Sequence, residues 1–400
     1  MFTSDYITSH PSVPVASDRF ESSPFLDKHI TPNAMFTVYA GRLVAFMTDV
    51  DPADDYWRLR QQAGLFDIPE RPIEIAGPDS LRLLETIFSR TIATLKVNRA
   101  RYAVACLPDG GILMDGVVIR LADDRFWYVV ADGEFDLWLK AHAYGLDVQI
   151  KDPQSWVLQI QGPTSLDVLD SVTGGAVGQG LGYFHTAMVD MGGQKVLVSR
   201  TGWTGELGFE VYTQGDKTDC PALWDHLIAK GEPHGLAFCN PVAMGIRRVE
   251  AGILNNGSDM DATMTPFAAG LGRFVELDKP DFIGREALQD ADQTCLLLGL
   301  ICRDAGADFG RFGLTFAPGA DVYDGNRQVA QLTAKHWSPS LNAGIAYVRF
   351  DEPGDWVGRT LALDSHDGTR LSCEIVPLPF YDPAKEIARG IDRTIPKRPG

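Results

Sequence analysis

Apolar and polar residues alternate through Ile73-Glu74-Ile75 and again through Leu158-Gln159-Ile160, which is the two-residue period of half-buried strands. In both places Gly-Pro stops the alternation, and the proline pre-sets a first helical turn. Leu81 with Leu84, and Leu166 with Leu169, then fall on one face of the helix that follows. Residues 73–84 thus echo residues 158–169 as strand, turn and helix. Such an echo is the trace expected of two related α+β units in one chain, with chance recurrence of a common motif as the alternative.

Around the first copy, the apolar runs 115–121 and 126–131 are joined by the polar turn Ala122-Asp123-Asp124-Arg125, predicting a hairpin, and 134–143 reads as an amphipathic helix. Around the second, 194–200 and 208–212 read as strands separated by a glycine-rich corner, with helices over 221–230 and 241–254. A helix over 284–290 is followed by short runs between Gly and Asp turns, predicting a separate all-β C-terminal domain.

Composition narrows the function classes. At 400 residues the chain exceeds what one core usually serves, so two or three domains with clefts between them are expected. A net charge of −17 without a basic stripe argues against a nucleic-acid partner. No run of 18 apolar residues and no basic-then-apolar start occurs, so a cytoplasmic protein without membrane contact is expected. The 6 cysteines include no Cys-x-x-Cys pair and the 8 histidines no His-x-x-x-His pair, so neither a disulfide framework nor a metal centre is expected. The stretch Thr173-Gly174-Gly175-Ala176-Val177-Gly178-Gln179-Gly180 lacks the Lys-Ser/Thr of a phosphate loop and reads as a plain loop.

Two features carry candidate chemistry. Asp115 sits where Gly110-Gly111-Ile112-Leu113-Met114 enters the apolar strand Val117-Val118-Ile119, and Tyr102, thirteen residues earlier on a facing strand, lies within reach across a hairpin. A strand-entry or capping aspartate is the alternative at this point. In Arg200-Thr201-Gly202-Trp203-Thr204-Gly205-Glu206-Leu207-Gly208-Phe209-Glu210, Trp203 offers a flat face and Glu210 a two-oxygen acceptor, the pair that a heterocycle with an N-C-N edge requires. A structural corner with a core tryptophan is the reading that these residues alone favour.

In combination, Gly64-Leu65-Phe66-Asp67, Gly110-Gly111-Ile112-x-x-Asp115, the 200–210 corner, Arg248-Val249-Glu250-Ala251-Gly252, Asp281-Phe282-Ile283-Gly284-Arg285-Glu286-Ala287-Leu288 and Ser338-Pro339-Ser340-Leu341 resemble the aminomethyltransferase (glycine-cleavage T-protein) superfamily. Within it, Tyr56-Trp57-x-Leu59-Arg60 and Glu70-Arg71-Pro72-Ile73-Glu74-Ile75 resemble the dimethylsulfoniopropionate demethylases, where a T-protein typically has Ser-His-Met. The segment Tyr183-Phe184-His185-Thr186 lacks the tryptophan those demethylases carry nearby. The resemblance implies an α+β, three-domain fold, two related α+β domains and a C-terminal β-barrel or jelly roll around a central folate site. The implied division is 1–55 plus 153–255, 56–152 plus 256–290, and 291–400.

The same resemblance implies Asp115 as the catalytic carboxylate with Tyr102 beside it, and Glu210, Trp203, Tyr183, Arg248 and Tyr212 as cofactor-binding residues. Tyr39 and Lys28 are expected at the substrate, with Arg42 as a further cation for a substrate carboxylate. The implied reaction moves a methyl group from a small onium acid, dimethylsulfoniopropionate foremost, to N5 of tetrahydrofolate as methyl acceptor. The alternatives are an aminomethyltransferase served by a lipoyl carrier protein, and a tetrahydrofolate-dependent demethylase of another N-methyl or O-methyl compound. A non-catalytic folate-binding protein of iron-sulfur assembly shares the fold, but its Lys-Gly-Cys-Tyr-x-Gly-Gln-Glu motif is absent, with Asp281-Phe282-Ile283-Gly284-Arg285-Glu286 in its place.

Overall fold

The echoed segments take the same shape. A computed structural model describes residues 16–130, 132–177, 180–303, 320–364 and 370–398. In it Arg71–Ala76 and Val157–Gln161 are strands, each followed by a helix, Ser80–Ile87 and Ser165–Thr173. Gly77 and Gly162 turn at φ +133° and +127°, and a Cβ there would meet Asp147 O at 2.4 Å and Gln62 O at 2.2 Å, so both turns demand glycine. Asp79 and Thr164 precede the helices with identical φ −94° and ψ 6°. Of the glycine-rich stretch that follows the second helix, residues 178 and 179 lie outside the described residues, as does residue 131 at the end of the expected hairpin.

Each copy seeds a sheet. Val157–Gln161 lies between Gly208–Tyr212 and Ala63–Ile68 in a six-stranded sheet completed by Thr186–Met191, Gln194–Ser199 and Leu236–Phe238. Ala63–Ile68 therefore pairs into this sheet, although the expected division sets it with the other unit. Arg71–Ala76 lies between Arg125–Val130 and Gln149–Lys151 in a five-stranded sheet with Arg99–Cys106 and Ile112–Ala122. The expected hairpin is Ile112–Ala122 with Arg125–Val130, and the helix after it is Phe135–His142.

Beyond the helix Arg285–Asp290 the chain closes a six-stranded barrel between Leu297 and Val376. Apolar side chains also join the units: Ile119, Trp127 and Val129 of one sheet pack with Val157, Leu197 and Tyr212 of the other. Tyr347 and Ile345 of the barrel share a core with Val104, Ile112 and Val249.

The helix Pro241–Glu250 sits among all three units and stops four residues short of the predicted Leu254. Its end wraps on itself, with Ile253 N–H donating to Arg248 O and Gly252 N–H to Val249 O, so residues 251–254 leave as a turn. Buried charge locks this helix in place: Arg247 pairs with Glu206 and Glu250, and Arg60 with Glu206. Glu250 also accepts from Tyr56, Ser338 and Tyr381, tying the barrel to the helix. Among the described residues no helix is long and apolar enough to cross a membrane.

Candidate active site

The strand register brings the first candidate pair together. Val104 stands opposite Asp115 and Tyr102 opposite Val117, which places Tyr102 and Asp115 on the same face of the hairpin, diagonal to one another. Tyr102 Oη donates to Asp115 Oδ2 at 2.8 Å. Burial pushes the Asp115 carboxyl up to about 6, while the Tyr102 hydroxyl and the Asn256 side chain pull the other way. Burial, then the charge of Asp115, holds Tyr102 well above the usual phenol range, so it stays a donor.

Glu210 stands in a second group, on Gly208–Tyr212. It is buried, its Oε2 accepts from Tyr212 Oη at 2.6 Å and from Thr201 Oγ1, and its Oε1 accepts from Gln159 Nε2 at 3.2 Å. Tyr212, read from the sequence as a cofactor contact, is itself fully buried and holds Glu210. Burial raises the Glu210 carboxyl above its usual value, and the two hydroxyls counter that. The corner before it is braced by Gln161, whose Nε2 donates to Thr201 O and Phe209 O and whose Oε1 accepts from Thr204. Glu206 of the same corner belongs to the buried charge network.

A third group lines a cavity of about 1070 Å³ bounded by the hairpin of Met35–Tyr39 and Arg42–Met47, the link Ile68-Pro69-Glu70, the central helix, the segment after it and the barrel. Tyr39, Trp203 and Arg248 are on its wall. Tyr39 Oη donates to Asn255 Oδ1 at 2.7 Å, one residue before the Asn256 that acts on Asp115. The Arg248 guanidinium lies 5.0 Å from the centre of the Trp203 ring and pairs with buried Asp259. Tyr183 stands at 37% exposure, edge-on to Phe184 and within the field of Glu210 and Arg200.

Lys28 is not brought to this site. Its ammonium pairs with Asp225 at 2.7 Å on the surface, because the short turn Leu26–Lys28 packs beside the helix Cys220–Gly231. Arg42 is spent as well, buried against the Trp156 ring at 3.9 Å and donating to Glu70 O. Neither cation that sequence reading offered for a substrate carboxylate therefore faces the cavity.

Sequence reading passed over three polar residues here. Glu70 lines the cavity, and its carboxyl is held well above the usual range by burial and by the neighbouring Glu210 charge. Gln159, 0% exposed, donates to Glu70 as well as to Glu210. His336 lines the cavity from the barrel, and burial together with Arg248 lowers it to about 3, so it is neutral near pH 7. The signal for Gln159 was the strand alternation itself: its polar face meets the site instead of solvent.

Comparison with known proteins places the chain among its relatives. The family model "GCVT N-terminal domain" matches residues 35–279, and "Glycine cleavage T-protein C-terminal barrel domain" matches residues 312–382. An aminomethyltransferase of Streptomyces avermitilis is 33% identical over 341 residues, 82% of this chain and 89% of that protein. A trimethylamine-oxide aldolase of Ruegeria pomeroyi is 34% identical over 380 residues, 90% of this chain but 47% of that protein, so this chain spans about half its length. The crystal structure of the glycine cleavage system aminomethyltransferase T from Bartonella henselae superposes with a TM-score of 0.77 at 25% identity, covering 90% of this chain and 98% of that one.

Proposed function

The chain belongs to the glycine-cleavage T-protein (aminomethyltransferase) family, and from that premise we propose that it moves a methyl group from a small onium acid of the dimethylsulfoniopropionate type to N5 of tetrahydrofolate. The observation that carries the reading is the Tyr102–Asp115 pair, a carboxyl held by a phenol; neither is itself on the cavity wall, but Asn256, which acts on Asp115, sits between Asn255 and Gly257, which share that wall with Tyr39 and Trp203. The residues fit a folate: Glu70 Oε2 and Gln159 Oε1 are buried acceptors without a partner among the described residues, as an N–H-bearing ring edge requires, and Trp203 presents a flat face.

Tetrahydrofolate, when bound, supplies the nucleophilic nitrogen. The protein's task is alignment and charge. Asp115 as carboxylate favours positive charge arising beside it and takes the one proton released, while the C–S bond pair leaves with the sulfur of the donor. Tyr102 keeps the carboxylate oriented through that change. Tyr39 attracts the onium by its ring face, in a cavity where Lys28 plays no part and Trp203 is taken by the folate ring and Arg248. Glu210, held by Thr201 and Tyr212, fixes the ring edge.

A second reading has its own support in the relative named trimethylamine-oxide aldolase, which points to an N-methyl donor. One assay separates them: purified protein with tetrahydrofolate and a panel of sulfonium, quaternary ammonium, N-oxide and aminomethyl-lipoyl donors, with folate products resolved by mass. 5-Methyltetrahydrofolate from a sulfonium acid supports the proposal. A one-carbon unit at the formaldehyde level from the N-oxide or lipoyl donor, with no 5-methyl product, sinks it.

A further inference from the structure

Glu70 lies two residues beyond the buried strand Ala63–Ile68 and shares a cavity wall with Trp203. Gln159 Nε2 donates to Glu70 Oε1 at 3.3 Å and to Glu210 Oε1 at 3.2 Å, so one amide spans two carboxyl groups. Glu70 Oε2 is buried and has no hydrogen-bond partner among the described residues. Among the described residues no cation acts on either carboxyl. Two acidic groups crowded together, one with an unmet acceptor, call for a ligand that brings N–H donors.

The kind of donor discriminates between ligands. A sulfonium or quaternary ammonium carries positive charge but no N–H, and so leaves a directional acceptor unmet. The edge of a flat heterocycle with a ring N–H beside an amino group presents two parallel donors. Glu210 alone is poorly placed to take both, since Gln159, Thr201 and Tyr212 already occupy much of its capacity. We infer that Glu70 and Glu210 act as one acceptor for the amino-amide edge of the pterin ring, with Glu70 selecting for the ring amino group; this rests on the folate reading above.

The test uses the full chain, 5-formyltetrahydrofolate and its 2-desamino analogue, with affinities from titration calorimetry. The parent is expected to prefer the 2-amino compound by about tenfold or more. Glu70→Gln is expected to weaken 5-formyltetrahydrofolate by about 10- to 100-fold, to leave the analogue nearly unchanged, and so to erase the preference. Circular dichroism and the melting temperature check its folding, and Glu70→Asp replaces it if it does not fold. Equal binding of both compounds by the parent, or a preference intact in the variant, overturns the role of Glu70. A parent that binds neither compound sinks the folate reading itself.

Discussion

Replacing Asp115 by Asn removes a charge and keeps a shape. The Asn oxygen accepts the bond that Tyr102 now makes to Asp115 at 2.8 Å, so the local packing is retained. Burial lifts this carboxyl from 3.8 to about 6. At roughly 1.4 kcal/mol per unit, the folded chain carries a penalty on the order of 3 kcal/mol for the ionised form. Since the folded value lies above the unfolded one, the group favours folding below about pH 4, and that contribution is lost as pH rises through about 6. The Asn variant is therefore expected to be more stable than the parent at about pH 8, by roughly 1–3 kcal/mol, with the difference closing toward about pH 4. Activity moves the other way. Turnover should fall by about 10²- to 10⁴-fold, and the acid limb of the parent's rate profile, centred near 6, should vanish. Methyl-transfer rates and chemical denaturation, both followed across pH, read the two effects. Turnover within about threefold of the parent with the limb in place would refute the role of Asp115. A stability gain independent of pH would refute the origin assigned to its shifted pKa.

Tyr102→Phe removes a bond that holds the Asp115 carboxyl down, so the acid limb should move above 6 and turnover should drop about tenfold, read from the pH profile. Arg247→Ala leaves Glu206 and Glu250 buried without their shared cation and should cost about 3–5 kcal/mol in a urea melt; a loss under about 1 kcal/mol would deny the network its structural role. Gly162→Ala forces a Cβ to 2.2 Å from Gln62 O at φ +127° and should cost more than about 2 kcal/mol, whereas Gly180→Ala, with nothing within 4 Å, should stay within about 0.5 kcal/mol in the same measurement.

Period-two patterning and the Gly-Pro breaks located the echoed strands and helices, because alternation and proline geometry are local properties of the chain. They also misled in one respect. Alternation implies a polar face toward water, yet Gln159 and Gln161 are both 0% exposed, and Glu74 is buried under Trp127, Arg125 and Lys151. A strand cannot tell whether its polar side meets solvent, a site or a neighbouring cation. The helix predicted to run to Leu254 stops at Glu250, since its end is closed by backbone bonds that a polarity pattern does not encode.

By itself, then, the sequence determined the two α+β units, the β-rich C-terminal part, and the motifs around Asp115 and Glu210, all of which rest on short-range spacing. Tertiary structure decided which groups meet. It set Tyr102 against Asp115 through strand register and sent Lys28 to Asp225 on the surface. It brought Glu70, 140 positions away along the chain, to Glu210 through Gln159. The physical reason is that the charge state and partners of a buried polar group depend on desolvation and on neighbours supplied by other strands, and neither is written in the residues beside it.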